Sequence, residues 1–212
     1  MSAFILYIGD KNLSSWSLRA WLAMKLADVP FREHLIRLDE PETRASIGEH
    51  SPSGLVPCLK HGEIVVWDSL AIAEYLNDLF PEKGLWPAAR AGRAHARAVS
   101  AEMHSGFAQL RTVWPMVFAR EGMRHIAPPG VKRDIARIAE IWTECRTRFG
   151  AGGPFLFGGF TIADAMYAPV VSRFATYGPL DLSDSARAYM EAVRTLPAMR
   201  EWGDGAKAEI AD

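Results

Sequence analysis

Three serines, Ser14, Ser15 and Ser17, stand at the head of an apolar run over residues 18–24 whose spacing is helical. Hydroxyl oxygens in that place accept the unpaired N–H groups of a first helical turn. Capping uses one or two such groups, so a cluster of three leaves a hydroxyl over for a ligand. It does so at the end of a helix whose dipoles favour negative charge. A second start of this kind is Asp68-Ser69, ahead of Leu70, Ile72, Ala73, Leu76 and Leu79. Free N–H groups and a hydroxyl at a helix N-terminus suit an anionic group. Other chemistries find no support. Cys58 and Cys145 are the two cysteines, too few and too far apart for a disulfide framework or a metal set. No Ser-His-Asp arrangement occurs, and no spacing of His, Cys or carboxylates suggests a metal.

The elements that would position these residues follow from periodicity. Residues 4–8 form an apolar run closed by Gly9-Asp10, a buried strand. The helix begun at the serines should stop near Asp28, because Val29-Pro30 breaks it. Residues 31–38 alternate and read as a second strand, which completes a βαβ unit. A short helix over residues 41–47 and a loop over 51–54 follow. Residues 56–60 and 64–67 flank His61-Gly62-Glu63, a hairpin signal. The helix capped by Asp68-Ser69 ends at Phe80-Pro81. Beyond that point helical periodicity dominates. Residues 91–113 predict one long helix, broken at Trp114-Pro115; residues 131–149 and 161–177 predict two more, and two shorter ones follow. Thr161-Ile162-Ala163-Asp164 is a capping box that starts a core helix, which Pro169 should distort without ending. Phe160 and Ala165 would make only a weak hydrophobic staple. The predicted organisation is an α/β domain over 1–81, a linker over 82–89 and an all-helical domain over 90–212.

Composition narrows the function classes. Lys plus Arg number 24 against 25 Asp plus Glu, a formal net charge of -1 over 212 residues. A near-neutral chain without a basic run offers no footprint for nucleic acid. The first apolar run has no basic residues before it and is too short for a signal segment or a membrane span. The expected setting is a reducing cytoplasm, with no membrane partner.

Four stretches then point one way: Ser14-Ser15-Trp16-Ser17-Leu18-Arg19, Ser51-Pro52-Ser53-Gly54-Leu55-Val56-Pro57, Asp68-Ser69-Leu70-Ala71-Ile72-Ala73-Glu74-Tyr75-Leu76 and Gly158-Gly159-Phe160-Thr161-Ile162-Ala163-Asp164. In this order and spacing the chain resembles the cytosolic glutathione transferases over essentially its whole length. The resemblance implies a thioredoxin-like N-terminal domain followed by an all-α domain. The serine motif looks most like the Ser-Ser-Cys-Ser-x-Arg pattern of the zeta class and its bacterial relatives.

The resemblance implies glutathione as co-substrate. An unperturbed thiol titrates at about 8.5, so only about 3% is thiolate at pH 7. A hydroxyl hydrogen bond and a helix N-terminus can shift it. The first serine of the zeta pattern is the thiol partner, which selects Ser14, with Ser15, Ser17 and Arg19 completing the motif. Val56-Pro57 resembles the family's cis-proline, which would set the Val56 backbone against the cysteinyl backbone of glutathione. Ser69 would hold the γ-glutamyl carboxylate and Asp68 the α-amino group. Arg44 is the candidate for the glycine carboxylate, with His50 and Lys60 as alternatives. Trp16 stands where the zeta pattern has cysteine, which argues against dithiol exchange. Leu55 replaces the glutamine usual before Val-Pro. His104, Phe107, Leu110, Arg111, Trp114 and Met116 are candidates to line an electrophile pocket, though an aromatic and Met stripe is more often core. Cys58 and Cys145 read as buried and inert. The implied activity is conjugation of glutathione to small hydrophobic electrophiles by a homodimer. The competing readings are a glutathione-dependent cis–trans isomerase of the maleylacetoacetate type and a non-catalytic binding protein of the same fold.

Overall fold

Phe4-Ile5-Leu6-Tyr7-Ile8 and the following glycine form β1 (Phe4–Gly9), the most buried strand of a four-stranded sheet. The computed structural model describes residues 3–178 and 180–211; Met1 and Ser2, at the start of the predicted first domain, and Asp212, at the end of the second, lie outside the described residues. The strand order is β2-β1-β3-β4. β2 (Phe31–Ile36) runs parallel to β1, with Phe31 opposite Phe4 and Ile36 opposite Gly9. A parallel pair needs a crossover, supplied by α1 (Ser15–Ala27), so the predicted βαβ unit is present. After α2 (Thr43–Gly48), β3 (Cys58–His61) pairs antiparallel with β1 and then with β4 (Ile64–Trp67). Gly62 takes φ +61° in the tight turn, a conformation other residues resist. The hairpin starts two residues later than the alternation predicts, leaving Val56 and Pro57 in the loop before it.

α3 (Ser69–Leu79) packs on α1 through Ile72, Ala73 and Leu76. A single 3-10 turn at Pro81–Lys83 leads toward the helical half. There α4 (Arg90–Ser105) and α5 (Ala108–Val113) replace the one long helix that periodicity predicts. The break falls at Gly106-Phe107: Gly106 is extended, a Cβ there would lie 2.7 Å from the Glu102 carbonyl oxygen, and Phe107 adopts φ +56°. Then come α6 (Pro129–Phe149), α7 (Ile162–Tyr177), α8 (Asp184–Arg194) and α9 (Pro197–Ala208).

α7 is buried along nearly its whole length and packs on α1 and α4, so one apolar core runs through both halves. Its start is held by Asp164, whose carboxylate accepts from the N–H of Thr161 at 2.8 Å, the Thr161 hydroxyl at 3.0 Å and the N–H of Leu156 at 3.0 Å. Phe160 rests edge-on against Phe155. Pro169 sits inside α7 without ending it. Arg19 ties the halves together: its Nε donates to the Met166 carbonyl of α7 at 3.0 Å. Among the described residues, no helix is long and apolar enough to cross a membrane, and no group of His, Cys, Asp or Glu could hold a metal ion.

Candidate functional site

The chain leaves β1 through a tight turn in which Asp10 O accepts from the N–H of Leu13 and of Ser14. Ser14 is the N-cap of α1: its Oγ accepts from the N–H of Ser17 at 3.3 Å and donates to Ser17 Oγ at 2.7 Å. Ser17, fully buried, accepts in turn from the N–H of Gly9 at 3.0 Å. These bonds join the end of β1 to the start of α1. Ser15 faces the other way and accepts from Arg173 Nη2 at 3.3 Å. Its own hydrogen is not used in that bond.

α3 begins at a second polar corner. Asp68 holds φ +73°, a strained conformation for a non-glycine residue and one that clusters at functional sites. Its Oδ1 accepts from the N–H of Leu70 at 2.8 Å and of Ala71 at 3.4 Å. Its Oδ2 lies 2.7 Å from Nε2 of His104 on α4. Ser69 beside it is 1% exposed, and its hydroxyl has no partner. A buried hydroxyl left unpaired costs about 1–3 kcal/mol, so this one is a group in want of a ligand. Asp68, Ser69, Val56, Pro57, Ser53 and Trp16 line a cavity of about 610 Å³ that His104, Ser105 and Arg111 close on the side of the helical half. The Val56–Pro57 peptide is cis.

Trp16 is the wall between this cavity and a second of about 340 Å³, lined by Leu13, Ser15, Ala108, Thr112, Pro115, Met116, Arg111 and Arg173. Arg19 lies 4.2 Å from the centre of the Trp16 ring and Arg111 5.2 Å from it. Burial lowers the pKa of all three guanidinium groups. Arg173 is brought down to about 10 by burial and then by Arg111, and Arg19 is lowered well below its ordinary value by burial, then by Arg173 and Arg111, against the pull of Asp68. Arginine nonetheless keeps its charge in proteins, so like charges are held together here.

The residues singled out in the sequence divide accordingly. Trp16, Val56, Pro57, Asp68 and Ser69 meet around the larger cavity, and Arg111 and Met116 line the smaller. Ser14 and Ser17 stand behind the lining, engaged with each other. Arg19 is a buried post between α1 and α7. Arg44 is exposed on α2, away from both cavities, and His50 stacks on Tyr7 at 4.2 Å. Lys60 is exposed on β3. Leu110 and Trp114 are core residues, as is most of Phe107. Cys58 and Cys145 are free and buried; burial raises both thiols, Cys145 to about 12. Sequence reasoning missed Ser53, Arg173 and the contact between His104 and Asp68. Ser53 belongs to a loop already singled out. The others depend on contacts across 36 and 158 residues, for which local spacing carries no signal.

Two family models match this chain: the glutathione S-transferase N-terminal domain over residues 13–79 and the C-terminal domain over 128–202. A probable maleylacetoacetate isomerase of Caenorhabditis elegans is 33% identical over 109 residues, 51% of this chain and 50% of that protein. A dichloromethane dehalogenase of Methylorubrum extorquens is 41% identical over 61 residues, 28% of this chain and 21% of that one. The chain thus spans half or less of the length of these curated relatives. Among solved structures, a glutathione transferase homologue from Burkholderia with bound glutathione superposes with a TM-score of 0.73 at 21% identity, covering 97% of this chain and 98% of that one. The fold is therefore that of the glutathione transferases, a thioredoxin-like half followed by a helical half, and with both domain models matched in order the chain belongs to the glutathione S-transferase family.

Proposed function

We propose that the protein binds glutathione in the larger cavity and conjugates its thiolate to small electrophiles. The observation that carries this reading is the buried, partnerless Ser69 hydroxyl beside Asp68 at the N-terminus of α3. The γ-glutamyl carboxylate would take that hydroxyl, and the helix dipole favours its charge. Asp68 would accept from the α-amino group, with His104 holding the carboxylate from behind. The cysteinyl backbone would lie along Val56, which directs the sulfur to the N-terminus of α1.

Ser14 is the proposed thiol partner. In the free protein its hydrogen goes to Ser17 Oγ. With a thiolate present, the pair can reverse: Ser17 donates to Ser14, and Ser14 donates to sulfur. Each unit by which the thiol pKa falls is about 1.4 kcal/mol in favour of the anion. No base is required, because the thiol loses its proton to solvent on binding. Cys58, whose thiol donates to the His50 carbonyl, and Cys145 are both buried and line neither cavity, and they take no part.

A second reading has one observation in its favour, the likeness to the protein named as a probable maleylacetoacetate isomerase. There glutathione would add and leave again unconsumed. A non-catalytic binding protein is the third; its mark would be damage to the Ser14 and Asp68-Ser69 motifs, and both are intact. Retention on glutathione-agarose, turnover of 1-chloro-2,4-dinitrobenzene and ultraviolet mercaptide absorbance of the complex test the proposal together. Retention, turnover and mercaptide at neutral pH are expected. Consumption-free isomerisation of maleylacetone would transfer the assignment to the second reading, and retention with no turnover on a broad electrophile panel to the third. We further propose a homodimer working in a reducing cytoplasm, pairing α3 of one copy with α4 of the other. A monomeric mass by analytical ultracentrifugation at micromolar concentration would contradict the dimer.

A further inference from the structure

Residues 114–120, just after α5, run without helix or strand, so their backbone groups must find partners outside the segment. Three of those partners are on α7. The Trp114 carbonyl accepts from Arg173 Nε at 2.8 Å, the Pro115 carbonyl from the Tyr177 hydroxyl at 2.8 Å and the Arg120 carbonyl from the Thr176 hydroxyl at 2.8 Å. Two further bonds go to a single distant residue. The N–H of Phe118 donates to the Asn12 carbonyl at 2.9 Å, and the N–H of Ala119 donates to Asn12 Oδ1 at 2.9 Å. The N–H of Asn12 is used as well, donating to Glu209 Oε2 at the end of α9 at 3.2 Å. From the other side α9 crowds the same segment: a Cβ at Gly203 would lie 2.9 Å from Phe118 Cε1.

Asn12 stands two residues before Ser14. Leu13 and Ser15, the neighbours of Ser14, line the smaller cavity, and so do Pro115 and Met116. That cavity therefore has one wall from the turn that carries Ser14 and another from the segment after α5. Asn12 joins the two walls. A backbone carbonyl supplies one of its two bonds, and the amide oxygen of the side chain supplies the other, so the residue type matters. Ser14 itself is held by bonds that do not involve Asn12, from its N–H to the Asp10 carbonyl and from its Oγ to Ser17 Oγ.

We propose that Asn12 is a positioning residue, whose side chain sets the gap between sulfur at Ser14 and the 114–120 wall against which the electrophile lies. This rests on the reading of the larger cavity as the glutathione site, which brings the sulfur to the N-terminus of α1 beside Leu13 and Ser15. Asn12 touches neither reactant. It acts through distance: a displacement of about 1 Å between reacting groups can cost about a hundredfold in rate. Thiolate formation, which belongs to Ser14 and Ser17, does not depend on it.

The test is a split between the two substrates. Asn12→Ala is expected to lower kcat/KM for 1-chloro-2,4-dinitrobenzene about tenfold, with KM for glutathione within about twofold and mercaptide absorbance retained. Asn12→Asp keeps an acceptor for the Ala119 N–H and should recover the rate to within about threefold. Gly203→Ala presses on Phe118 from α9, leaves Asn12 intact and should show the same split in milder form. Rates are compared where circular dichroism shows each variant fully folded. Calorimetry gives a readout independent of turnover, comparing S-methylglutathione with S-(2,4-dinitrophenyl)glutathione. Asn12→Ala should weaken the dinitrophenyl compound about fivefold or more and leave the methyl compound unchanged. Unchanged affinity for both, loss of mercaptide in Asn12→Ala, or equal losses in the Ala and Asp variants would overturn the proposal while leaving the glutathione site standing. If the unaltered protein binds no S-methylglutathione, the reading of the larger cavity falls, and this proposal falls with it.

Discussion

The two cavities on either side of Trp16 are built from opposite materials. The larger gathers an acid, hydroxyls and a backbone edge from residues 53–69, a single stretch of the thioredoxin-like half, and the helical half only closes it. The smaller gathers cations from α5 and α7 against the start of α1, with Arg111 and Arg173 62 positions apart. One chamber presents an acid and hydroxyls, the other guanidinium groups beside apolar walls. The difference shows how two cavities that share a wall can differ in origin: the first is local and motif-bound, the second is assembled from distant helix faces.

That contrast can be broken at several points. The largest expected effect is on the scaffold of the smaller cavity. Asp164→Ala strands two buried N–H groups at the start of α7, and a stability loss of about 3 kcal/mol is expected in urea unfolding. Since α7 carries Arg173 and the carbonyl that anchors Arg19, the smaller cavity should be disturbed more than glutathione retention. Burial raises Asp164 from 3.8 to about 6 against the hydrogen bonds that lower it. Its contribution to stability is therefore full below pH 3.8 and is lost as pH rises through about 6. Asp164→Asn should flatten that slope, and an unchanged slope would place the titration elsewhere.

Next comes Asp68→Ala, which removes the acceptor for the amino group and the cap of α3. A fall of about a hundredfold in kcat/KM for glutathione is expected, about 2.7 kcal/mol. Unfolding stability should fall by only about 1 kcal/mol, the share of the cap, and a loss as large as for Asp164→Ala would make Asp68 a scaffold residue. Ser14→Ala should slow conjugation by at least about tenfold, about 1.4 kcal/mol, with loss of mercaptide absorbance. If Ser15→Ala is crippling while Ser14→Ala is neutral, the thiol lies on the arginine side of Trp16. The smallest effect is His104→Gln, expected to raise KM for glutathione about threefold with kcat kept, about 0.65 kcal/mol. A fall in kcat instead would make His104 part of the reacting centre.

Legibility in the sequence followed the same division. Ser14 to Arg19 and Asp68-Ser69 announce themselves because a strand, a cap and a helix are consecutive in the chain. Their helices stand where periodicity puts them. The roles of Ser17 and Arg19 were not readable, because Gly9 and Met166 are partners only after folding. The break after α4 escaped because apolar periodicity continues through Phe107, whose φ of +56° no side-chain pattern announces. Of the smaller cavity, Ser15, Arg111 and Met116 were among the candidates; Arg173 was not, because its meeting with Ser15 and Arg111 exists only after folding.

The tie from Arg19 to the Met166 carbonyl has a consequence for how the molecule comes apart. Pulling α1 from α7 would leave a charged fork in a hole lined by oil and other cations until water floods it. A single calorimetric peak, with no plateau for a freed N-terminal half, is the melting behaviour this join dictates. An excised thioredoxin-like fragment would carry that wound permanently and should be recovered as aggregate.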